Sequence, residues 1–459
     1  MKDIVTIEQM QSLEREAIER GTSALELMYR AGAQMAKYLM SATKGRVLVM
    51  CGRGNNGGDG FTAAWLLSAE GREVLVYCPY SASELTEQSR FYFEKCTGVT
   101  SDLEQCARFK PEVILDALYG VGFHGSLSGD MLKAVRFINA SGCQVVSADV
   151  PSGMWEDSVC ANVTLCVHAP KMHTCCGKSA IKSGTLKVLD IGIKSYENGV
   201  KLLEQDDIIR LLPSRSRYGH KNTFGSVGIV GGCVGMEGAA MLSAMAAAKC
   251  GAGKVSVISS LDYYLNRPPH IMQRGTLDRQ SCLAFGMGAG RSDDAADMLT
   301  RVLCEDCHAV IDADGLYAAS RSQAVPQINA QRRKKGYKTV FTPHVGEAAM
   351  LLGIAPEQVE RDPISAARSI SEKYNCITVL KSWYSVICDG EIYVLNSPES
   401  ALAKAGSGDC LAGMCAAFVA QGASVAGAVM LHNASGRRAA EQYGRASATA
   451  LDIISCINF

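Results

Sequence analysis

RVLVMCGRGNNGGDGF, residues 46–61, predicts a strand, a glycine loop and the start of a helix at Phe61. Glycines let a backbone turn with positive φ and approach a ligand closely, and free N–H groups at a helix start attract phosphate. A tight turn alone would not need Asn55, Asn56 and Asp59 inside the loop. The stretch therefore predicts the first strand–helix unit of an α/β domain with a ligand-binding loop.

Strand-like runs recur along the whole chain. After the first run, others lie at 73–78, 113–118 and 144–150, with room for crossover helices between them. This alternation predicts a mainly parallel sheet. A second series restarts near Ser226 with SVGIVGG and continues through KVSVIS, AVIDAD, TVFTP and ITVLKS. We predict a two-domain α/β protein with a Rossmann-like three-layer α/β/α domain at 1–200, a linker at 201–216 and a second α/β domain at 217–459.

Composition excludes several classes of function. The 46 acidic and 46 basic side chains cancel, so neither nucleic acid nor a membrane is expected as a partner. The N-terminus carries acids where a signal peptide needs a basic start, so we expect a cytoplasmic protein. Its 19 cysteines should then be reduced, and Cys304, Cys307 and His308 match C-x-x-C-H by coincidence. A homo-oligomer stays open, because such domains often assemble.

Two aspartates stand where strands should end. Asp116 lies in ILDALYGVG, and Asp149 lies in SADVPSG. Ligands of open α/β sheets bind outside the carboxyl ends of strands, so these residues and the glycine loop should converge on one crevice. Taken singly, each aspartate could instead cap a helix or form a turn. Oxygen ligands without His or Cys suit an alkali or alkaline-earth cation better than zinc.

The order GRGNNGGDG, DALYGVGFHGS and DVPSG resembles the YjeF N-terminal family, the NAD(P)H-hydrate epimerases, over essentially residues 1–200. The resemblance implies interconversion of R and S hydrates at C6 of the nicotinamide ring, and a potassium ion held by Asn56, Asp116 and Ser152. Asp149 is our candidate for proton transfer, because a strand-end carboxylate in a closed crevice is shielded from water. The residues implied to line the hydrate site are Asn55, Asn56, Gly57, Gly58, Asp59, Gly120, Val121, Gly122, Phe123, His124, Gly125, Ser126 and Asp149.

The second half carries a phosphoryl-transfer motif, AGSGDC at 405–410, before an apolar helix. Its backbone N–H groups can hold a phosphoryl group and the charge that develops on it. Asp409 then faces the acceptor hydroxyl and can take its proton during in-line transfer. Asp312 and Asp314 in VIDADGL, or Glu347 in TPHVGE, could help position magnesium.

The order KNTFGSVGIVGG, GMGAG, VIDADGL, FTPHVGEAAMLLG and AGSGDCLAGM resembles the ribokinase-like YjeF C-terminal family, the NAD(P)H-hydrate dehydratases. The resemblance implies a ribokinase-like fold in which ADP or ATP phosphorylates the S hydrate and phosphate then leaves. Fusion of the two domains is similar to bacterial versions, which favours ADP giving AMP and phosphate. The implied substrate contacts are Ala239, Gly288, Gly290, His344 and Asp409, and the implied nucleotide contacts are Lys381, Ser382, Trp383, Tyr384, Ser385, Gly406 and Gly408.

The predicted function is repair of hydrated NADH and NADPH (NADHX and NADPHX), and two alternatives stay open. The family usually shows KGxxT, whereas this chain has Ser382, Trp383 and Tyr384 after Lys381, which adds bulk near the expected nucleotide. One alternative is a vitamin-precursor kinase of the same superfold, because AGSGD serves phosphoryl transfer generally. The other makes the N-terminal half a non-catalytic ligand-binding module, because no paired His or Lys base is evident there.

Overall fold

The computed structural model describes residues 1–123, 125–153, 157–194, 199–259 and 267–459. The chain divides into two compact units, Lys2–Leu202 and Leu203–Phe459, and Met1 belongs to the second. Within the described ranges, no helix has the length and apolar character that crossing a membrane requires. Residues 201–216, predicted as a linker, contain the end of a strand, the 3-10 turn Gln205–Asp207 and the helix Ile208–Leu211.

The N-terminal unit is built on a parallel sheet. Its strands are β1 (Lys2–Asp3), β2 (Val47–Cys51), β3 (Val74–Tyr77), β4 (Val99–Thr100), β5 (Val113–Ala117), β6 (Gln144–Ala148), β7 (Val163–Val167), β8 (Thr185–Leu189) and β9 (Val200–Leu202). The parallel sheet has the order β4-β3-β2-β5-β6-β7-β8, and β1 pairs antiparallel with β9. The strand order reverses between β2 and β5, which is where ligands bind in such sheets.

Helices cover both faces of this sheet. They are α1 (Ile7–Glu19), α2 (Ala24–Ala42), α3 (Asn55–Ala69), α4 (Glu87–Phe93), α5 (Leu103–Phe109), α6 (Gly129–Ala140) and α7 (Met172–Cys175). Val47 and Val49 of β2 pack with Leu39 of α2 on one face, while Leu48 packs with Ile138 of α6 on the other. Strands buried on both faces explain the continuous apolar runs, and the three-layer α/β/α prediction is confirmed.

Helix α3 begins six residues earlier than predicted. The sequence suggested a start at Phe61, because glycines disfavour helices, but the helix begins at Asn55. Close packing overrides propensity here: a Cβ on Gly57 would lie 2.0 Å from the carbonyl oxygen of Gly52. A Cβ on Gly60 would lie 2.7 Å from Ala117 Cβ of β5. Several glycines of the motif therefore let the helix lie against the strands instead of forming a long loop.

The C-terminal unit has a second sheet. Its strands are β10 (Ser226–Val230), β11 (Lys254–Ile258), β12 (Met272–Arg274), β13 (Cys282–Phe285), β14 (His308–Ile311), β15 (Thr339–Phe341), β16 (Ile377–Lys381), β17 (Tyr384–Asp389) and β18 (Glu391–Asn396). Within this unit the order is β18-β17-β16-β15-β14-β13-β10-β11-β12, antiparallel at β16–β17–β18 and otherwise parallel. The order reverses at β10 and β13, so the loops after these strands open at the switch point.

The helices of this unit include a mostly buried one, Ser407–Ala420, that begins within the phosphoryl-transfer motif. They are α8 (Ile208–Leu211), α9 (Glu237–Lys249), α10 (Asp293–Cys304), α11 (Asp314–Arg321), α12 (Val325–Lys334), α13 (Val345–Leu352), α14 (Pro356–Arg361), α15 (Pro363–Tyr374), α16 (Ser407–Ala420), α17 (Val425–Tyr443) and α18 (Ala450–Ser455). A Cβ on Gly413 of α16 would lie 2.0 Å from the carbonyl oxygen of Ser243 in α9. The small residues of α9 and α16 thus serve close helix packing, which fixes the start of α16 against the sheet.

Two candidate active sites

Asp116 is a fully buried carboxylate at the end of β5. Its Oδ1 accepts hydrogen bonds from Ser152 Oγ (2.6 Å) and the Leu118 N–H (3.3 Å). Its Oδ2 accepts from Ser147 Oγ (2.7 Å) and the Ser152 N–H (2.9 Å). Burial raises the pKa of Asp116, and the hydrogen bonds from Ser152 and Ser147 oppose that rise. A buried carboxylate with this many donors is firmly oriented.

Ser152 and Asn56 bring further polar atoms to this place. Ser152 Oγ accepts from the Tyr119 N–H (2.8 Å) and lies 3.1 Å from the Tyr119 carbonyl oxygen. The buried Nδ2 of Asn56 has no partner in the described part of the chain. Gly120 packs against Asn56, whose Cβ lies 3.2 Å from where a Gly120 Cβ would stand. The oxygen and nitrogen of an amide can be exchanged by a flip, so the unpaired end of the Asn56 amide can present an oxygen. Asn56, Asp116 and Ser152 then offer oxygen ligands that fit a hard cation.

Asp149 follows β6 with a positive φ of 63°, a backbone conformation that Asp tolerates better than most residues. Its Oδ1 accepts a hydrogen bond from the Val167 N–H (3.0 Å) and forms an ion pair with Lys171 Nζ. The sequence prediction missed Lys171, although it follows the next strand, β7, by four residues. Applying the strand-end rule to bases as well as acids would have found it.

Two more carboxyl groups face Asp149. Burial raises the pKa of Asp59, and the charges of Asp149 and Glu14 raise it further, while Lys171 opposes the rise. The pKa of Glu14, in helix α1, is also raised, first by burial and then by the charge of Asp149. Glu14 was also missed, because an acidic residue in an amphipathic helix gives no sequence signal of a buried role. Among the described residues, the crevice thus holds several carboxyl groups and the buried ammonium group of Lys171.

The loop after β5 holds the other residues expected to line the hydrate site. The Tyr119 and Phe123 rings lie 4.3 Å apart between centroids, and His124 lies outside the described residues. Thr86 Oγ1 donates to Asn55 Oδ1 (3.1 Å). A cavity of about 610 Å³ opens beside the end of this loop, and its lining includes Gly125, Ser126, Gly153 and Lys178. The loop, helix α3 and the strand-end acids all belong to the switch-point edge of the sheet.

In the C-terminal unit, Asp312 and Lys381 form the centre of a second charged site. Asp312 Oδ1 accepts from Lys381 Nζ at 2.7 Å. A Cβ on Gly408 would lie 3.4 Å from Lys381 Nζ and 3.8 Å from Asp312 Oδ2, so the start of α16 adjoins the pair. Burial lowers the pKa of Lys381, but the carboxylates of Asp312, Glu347 and Asp409 outweigh it and raise the pKa. A lysine beside a helix N-terminus is suited to a phosphoryl group.

Asp409 lies in the first turn of α16, after Gly406, whose φ of 90° requires glycine. Burial, and then the charge of Asp312, raises the pKa of Asp409 to about 6, while Lys381 opposes the rise. A carboxylate with a pKa near 6 is a stronger base than a solvated one and is still charged at neutral pH. The structure therefore brings the predicted base, Asp409, together with Asp312, Lys381 and Gly408.

The other predicted magnesium ligands, Asp314 and Glu347, differ in the groups that they contact. Asp314 accepts from the Gly290 N–H (2.9 Å) and from Arg291 Nε (3.1 Å), so it holds the GMGAG loop. Glu347 accepts from the His344 N–H (2.8 Å). Burial raises the pKa of Glu347, Lys381 opposes the rise and Asp312 adds to it. Asp312 and Glu347 thus face the same ammonium group, whereas Asp314 is committed to the loop.

The GMGAG loop also reaches this site. A Cβ on Gly286, whose φ is 117°, would lie 1.9 Å from the Asp312 carbonyl oxygen, so only glycine fits. A Cβ on Gly288 would lie 3.3 Å from Ala239 Cβ, which brings two predicted substrate contacts together. His344 caps helix α13, its Nδ1 accepting the Gly346 N–H (3.0 Å).

Ser382, Trp383 and Tyr384 connect β16 to β17, with Lys381 opposite Ser385. Tyr384 is 3% exposed, so its side chain packs inward, while Ser382 is exposed and Trp383 half-buried. Of the two bulky side chains that follow Lys381, those of Trp383 and Tyr384, only that of Trp383 is therefore open to a ligand.

Comparison with known proteins decides the family. A model of the YjeF-related protein N-terminus matches residues 24–173, and a model named NAD(P)H-hydrate dehydratase matches 227–458. The chain is 34% identical over 480 residues to the bifunctional NAD(P)H-hydrate repair enzyme of Coxiella burnetii, covering 97% of this chain and 96% of that one. The chain belongs to this family.

Other members of the NAD(P)H-hydrate repair family agree. The Escherichia coli K12 enzyme of the same name is 27% identical over 479 residues, covering 97% of this chain and 91% of that one. A solved structure of the ADP/ATP-dependent NAD(P)H-hydrate dehydratase from Bacillus subtilis, co-crystallised with ATP and Mg²⁺, has 23% identity and a TM-score of 0.50. It covers 56% of this chain and 96% of that one, and shows the fold of the C-terminal unit. The predicted family and the ribokinase-like fold are confirmed, and the matches do not favour the kinase alternative.

Proposed function

We propose that the N-terminal unit epimerises the R and S hydrates of NADH and NADPH, and that the C-terminal unit dehydrates the S hydrate with ADP or ATP. The observation that carries the proposal is Asp409, a base with a pKa of about 6, at the helix start beside Lys381 and Asp312. The nucleotide-dependent dehydratase named among the relatives agrees with it. In the cell we expect a cytoplasmic repair enzyme for NADHX and NADPHX.

In the C-terminal unit, each charged residue has a chemical task. Asp409 accepts the proton of the hydrate hydroxyl as its oxygen attacks the terminal phosphoryl group of the nucleotide. Lys381 and the N–H groups at the start of α16 stabilise the charge that develops on that group. Phosphate then leaves carbon C6 and carbon C5 loses a proton, so the C5=C6 double bond forms and the dihydronicotinamide is restored. Asp312 and Glu347 would hold magnesium, which supplies positive charge to the nucleotide phosphates.

In the N-terminal unit, we assign Asp149 to proton transfer at C6 and helix α3 with the loop after β5 to dinucleotide binding. Asp116, Ser152 and Asn56 would hold potassium, whose charge would orient the polar loop ends of the crevice. The buried hydrogen bonds of Asp116 and the orphan amide of Asn56 support this assignment. ADP as the preferred nucleotide, giving AMP and phosphate, and a homo-oligomeric state stay predictions.

The test follows recovery of dihydronicotinamide absorbance from a mixture of R and S hydrates with magnesium, potassium and ADP or ATP. We expect wild type to recover the whole mixture, Asp409→Ala to recover none, and Asp149→Ala to stall once the S form is consumed. Asp306→Ala and Asp130→Ala, which remove exposed ion-paired aspartates, are the matched controls and should behave as wild type. No recovery by wild type with either nucleotide would overturn the dehydratase assignment.

A further inference from the structure

Lys171 is a buried charged residue of the N-terminal unit to which the proposed function gives no task. Its side chain is 1% exposed. Its Nζ contacts Asp149 Oδ1 and donates to the Val167 carbonyl oxygen at 2.9 Å. Burying an ammonium group is unfavourable unless it is paired, and this one is paired with the residue assigned to proton transfer. An ammonium so deeply buried cannot touch the substrate, so any effect on the reaction passes through Asp149 and the other carboxyl groups around it.

The two oxygens of the Asp149 carboxylate have different surroundings. Oδ1 accepts from both Lys171 Nζ and the Val167 N–H (3.0 Å), which fix its position from two sides. No residue of the described ranges donates to Oδ2, and the side chain keeps 12% of its surface exposed. The carboxylate is therefore held through one oxygen and presents the other to the crevice.

The backbone already ties the Lys171 segment to the rest of the unit. The Val5 N–H donates to the Pro170 carbonyl oxygen (3.0 Å), and the Met172 N–H donates to the Val5 carbonyl oxygen (3.3 Å). These bonds hold the segment whatever side chain stands at position 171. A purely structural role is therefore a poor explanation for the buried ammonium group.

Other titratable groups face this pair from the neighbouring elements. Glu14 faces it from α1 and Asp59 from α3. His173 faces it from α7, and burial lowers the pKa of His173 to about 4. Burial raises the pKa of the Cys166 thiol in β7 to about 12. His168, next to β7, also has a pKa lowered by burial and then by Lys171.

These shifts set the charges near neutral pH. His173 and Cys166 are then neutral, so Lys171 is the cation that balances the carboxylates in the described part of this cluster. The Lys171 charge is paired with Asp149 by direct contact. Burial and the Asp149 charge raise the pKa of both Asp59 and Glu14. Of the two, Asp59 lies on α3, the helix assigned to dinucleotide binding, so Asp59 is the candidate proton donor.

We propose that Lys171 is a positioning residue that holds Asp149 as a fixed, charged base while Asp59 serves as the proton-bearing acid. The proposal rests on the epimerase function assigned above. In this scheme, epimerisation at C6 breaks and re-forms the C6–O bond. The nitrogen N1 lone pair forms an N1=C6 double bond as the C–O bond breaks, and Asp59 gives its proton to the leaving oxygen, forming water. Water then adds to the opposite face of C6, the N1=C6 bond returns its electron pair to N1, and Asp149 takes the released proton.

One proton thus passes from Asp59 to Asp149 in each conversion, and exchange with water returns it to Asp59 before the next conversion in the same direction. No oxidant, reductant or further reactant is needed. The scheme requires the two carboxyl groups to differ by one proton at the start of each conversion. Lys171 supplies that difference, because its charge is paired with Asp149 and not with Asp59.

The test measures conversion of purified R-NADHX to the S epimer by chromatography, with the full-length protein and no nucleotide, across the pH range. We expect Lys171→Met to lower kcat by at least about a hundredfold, the range of general acid–base catalysis, with KM changed by less than about threefold. Its pH profile should also move to higher pH, because the cation that opposes protonation of Asp59 is lost. Lys171→Arg should keep the wild-type profile position, and Lys133→Met, which removes an exposed ion-paired lysine, should match wild type throughout.

The outcomes separate the possible failures. A wild-type protein that does not accelerate epimerisation overturns the proposed function itself. Wild-type acceleration with an unshifted Lys171→Met profile, or a kcat within about threefold of wild type, overturns only the role of Lys171. If Lys171→Met fails to fold, the double variant Lys171→Met with Asp149→Asn removes both buried charges and should fold, because no unpaired ion is left. That double variant should be inactive, and activity in it would overturn both assignments.

Discussion

Each unit pairs a lysine with an aspartate beside its strand ends, but the two pairs are exposed in opposite ways. In the N-terminal unit the lysine, Lys171, is 1% exposed and the aspartate, Asp149, is 12% exposed. In the C-terminal unit the aspartate, Asp312, is 3% exposed and the lysine, Lys381, is 18% exposed. The more exposed member can meet a ligand, and the buried member holds it in place. One charge pair can thus present either a base or a cation.

The difference matches the chemistry assigned to each unit. Proton transfer at C6 needs a carboxylate facing the ring, whereas phosphoryl transfer needs positive charge facing the phosphate. In the C-terminal unit the base is a separate residue, Asp409, on the buried helix α16. Substitutions of the exposed and buried members of each pair therefore test the comparison directly.

The largest expected effect is that of Asp409→Asn. Removing a general base costs about a hundredfold to ten-thousandfold in rate, so we expect kcat for dehydration to fall about a thousandfold, or about 4 kcal/mol. Dehydration of purified S-NADHX with ADP and magnesium measures it. Epimerisation by the same sample is the internal control and should be unchanged. Dehydration within about tenfold of wild type would remove Asp409 from the role of base.

A smaller effect is expected for Lys381→Met, which removes the exposed member of its pair. Loss of one donor to a developing anion costs about a hundredfold to a thousandfold in kcat. Lys381→Arg should recover only part of that loss, because a lysine in contact with the ligand must match it in shape as well as charge. Lys335→Met, which removes an exposed ion-paired lysine, is the control. Full recovery by Lys381→Arg would mean that Lys381 acts at a distance, as Lys171 is proposed to do.

The pH dependence of dehydration should report Asp409. Because its pKa is raised to about 6, Asp409 is charged and active above that pH and is protonated below it. We expect kcat/KM to fall about tenfold per pH unit below pH 6 and to be flat between about pH 7 and 8. Asp314→Asn removes one of the charges that raise this pKa, so the acidic limb should move to lower pH by less than one unit. If the acidic limb of the Asp314→Asn profile does not move, the limb reports the titration of a group other than Asp409.

The strand-end acids and the glycine motifs could be predicted from the sequence, because the spacing of apolar residues, the composition and the order of motifs can be read without knowing the fold. Asp116, Asp149 and Asp312 lie at the ends of strands, where the strand-end rule expects them. Asp409 lies in the first turn of α16, where its own motif places it. Lys171 and Glu14 were missed, because their importance depends on burial beside Asp149, and burial is a property of the folded chain. The start of α3 was also missed, because packing against Gly52 and Ala117 overrides the low helix propensity of glycine.

The smallest expected effect comes from Gly408→Ala and separates stability from activity. The new Cβ would lie 3.4 Å from Lys381 Nζ, the movable end of a flexible side chain, and 3.8 Å from Asp312 Oδ2. Alanine in place of glycine inside a helix stabilises it by about 0.5 to 1 kcal/mol, so thermal unfolding should shift slightly upward. Dehydration should nevertheless slow by about twofold to tenfold, because the methyl group lies in contact with the ammonium group and takes up space beside the helix start. Gly238→Ala, where no atom lies within 4 Å of the new Cβ, is the matched helical control and should leave kcat unchanged. Equal slowing in both variants would show that Lys381 does not need its present position. Lys381 would then lose its assigned contact with the nucleotide.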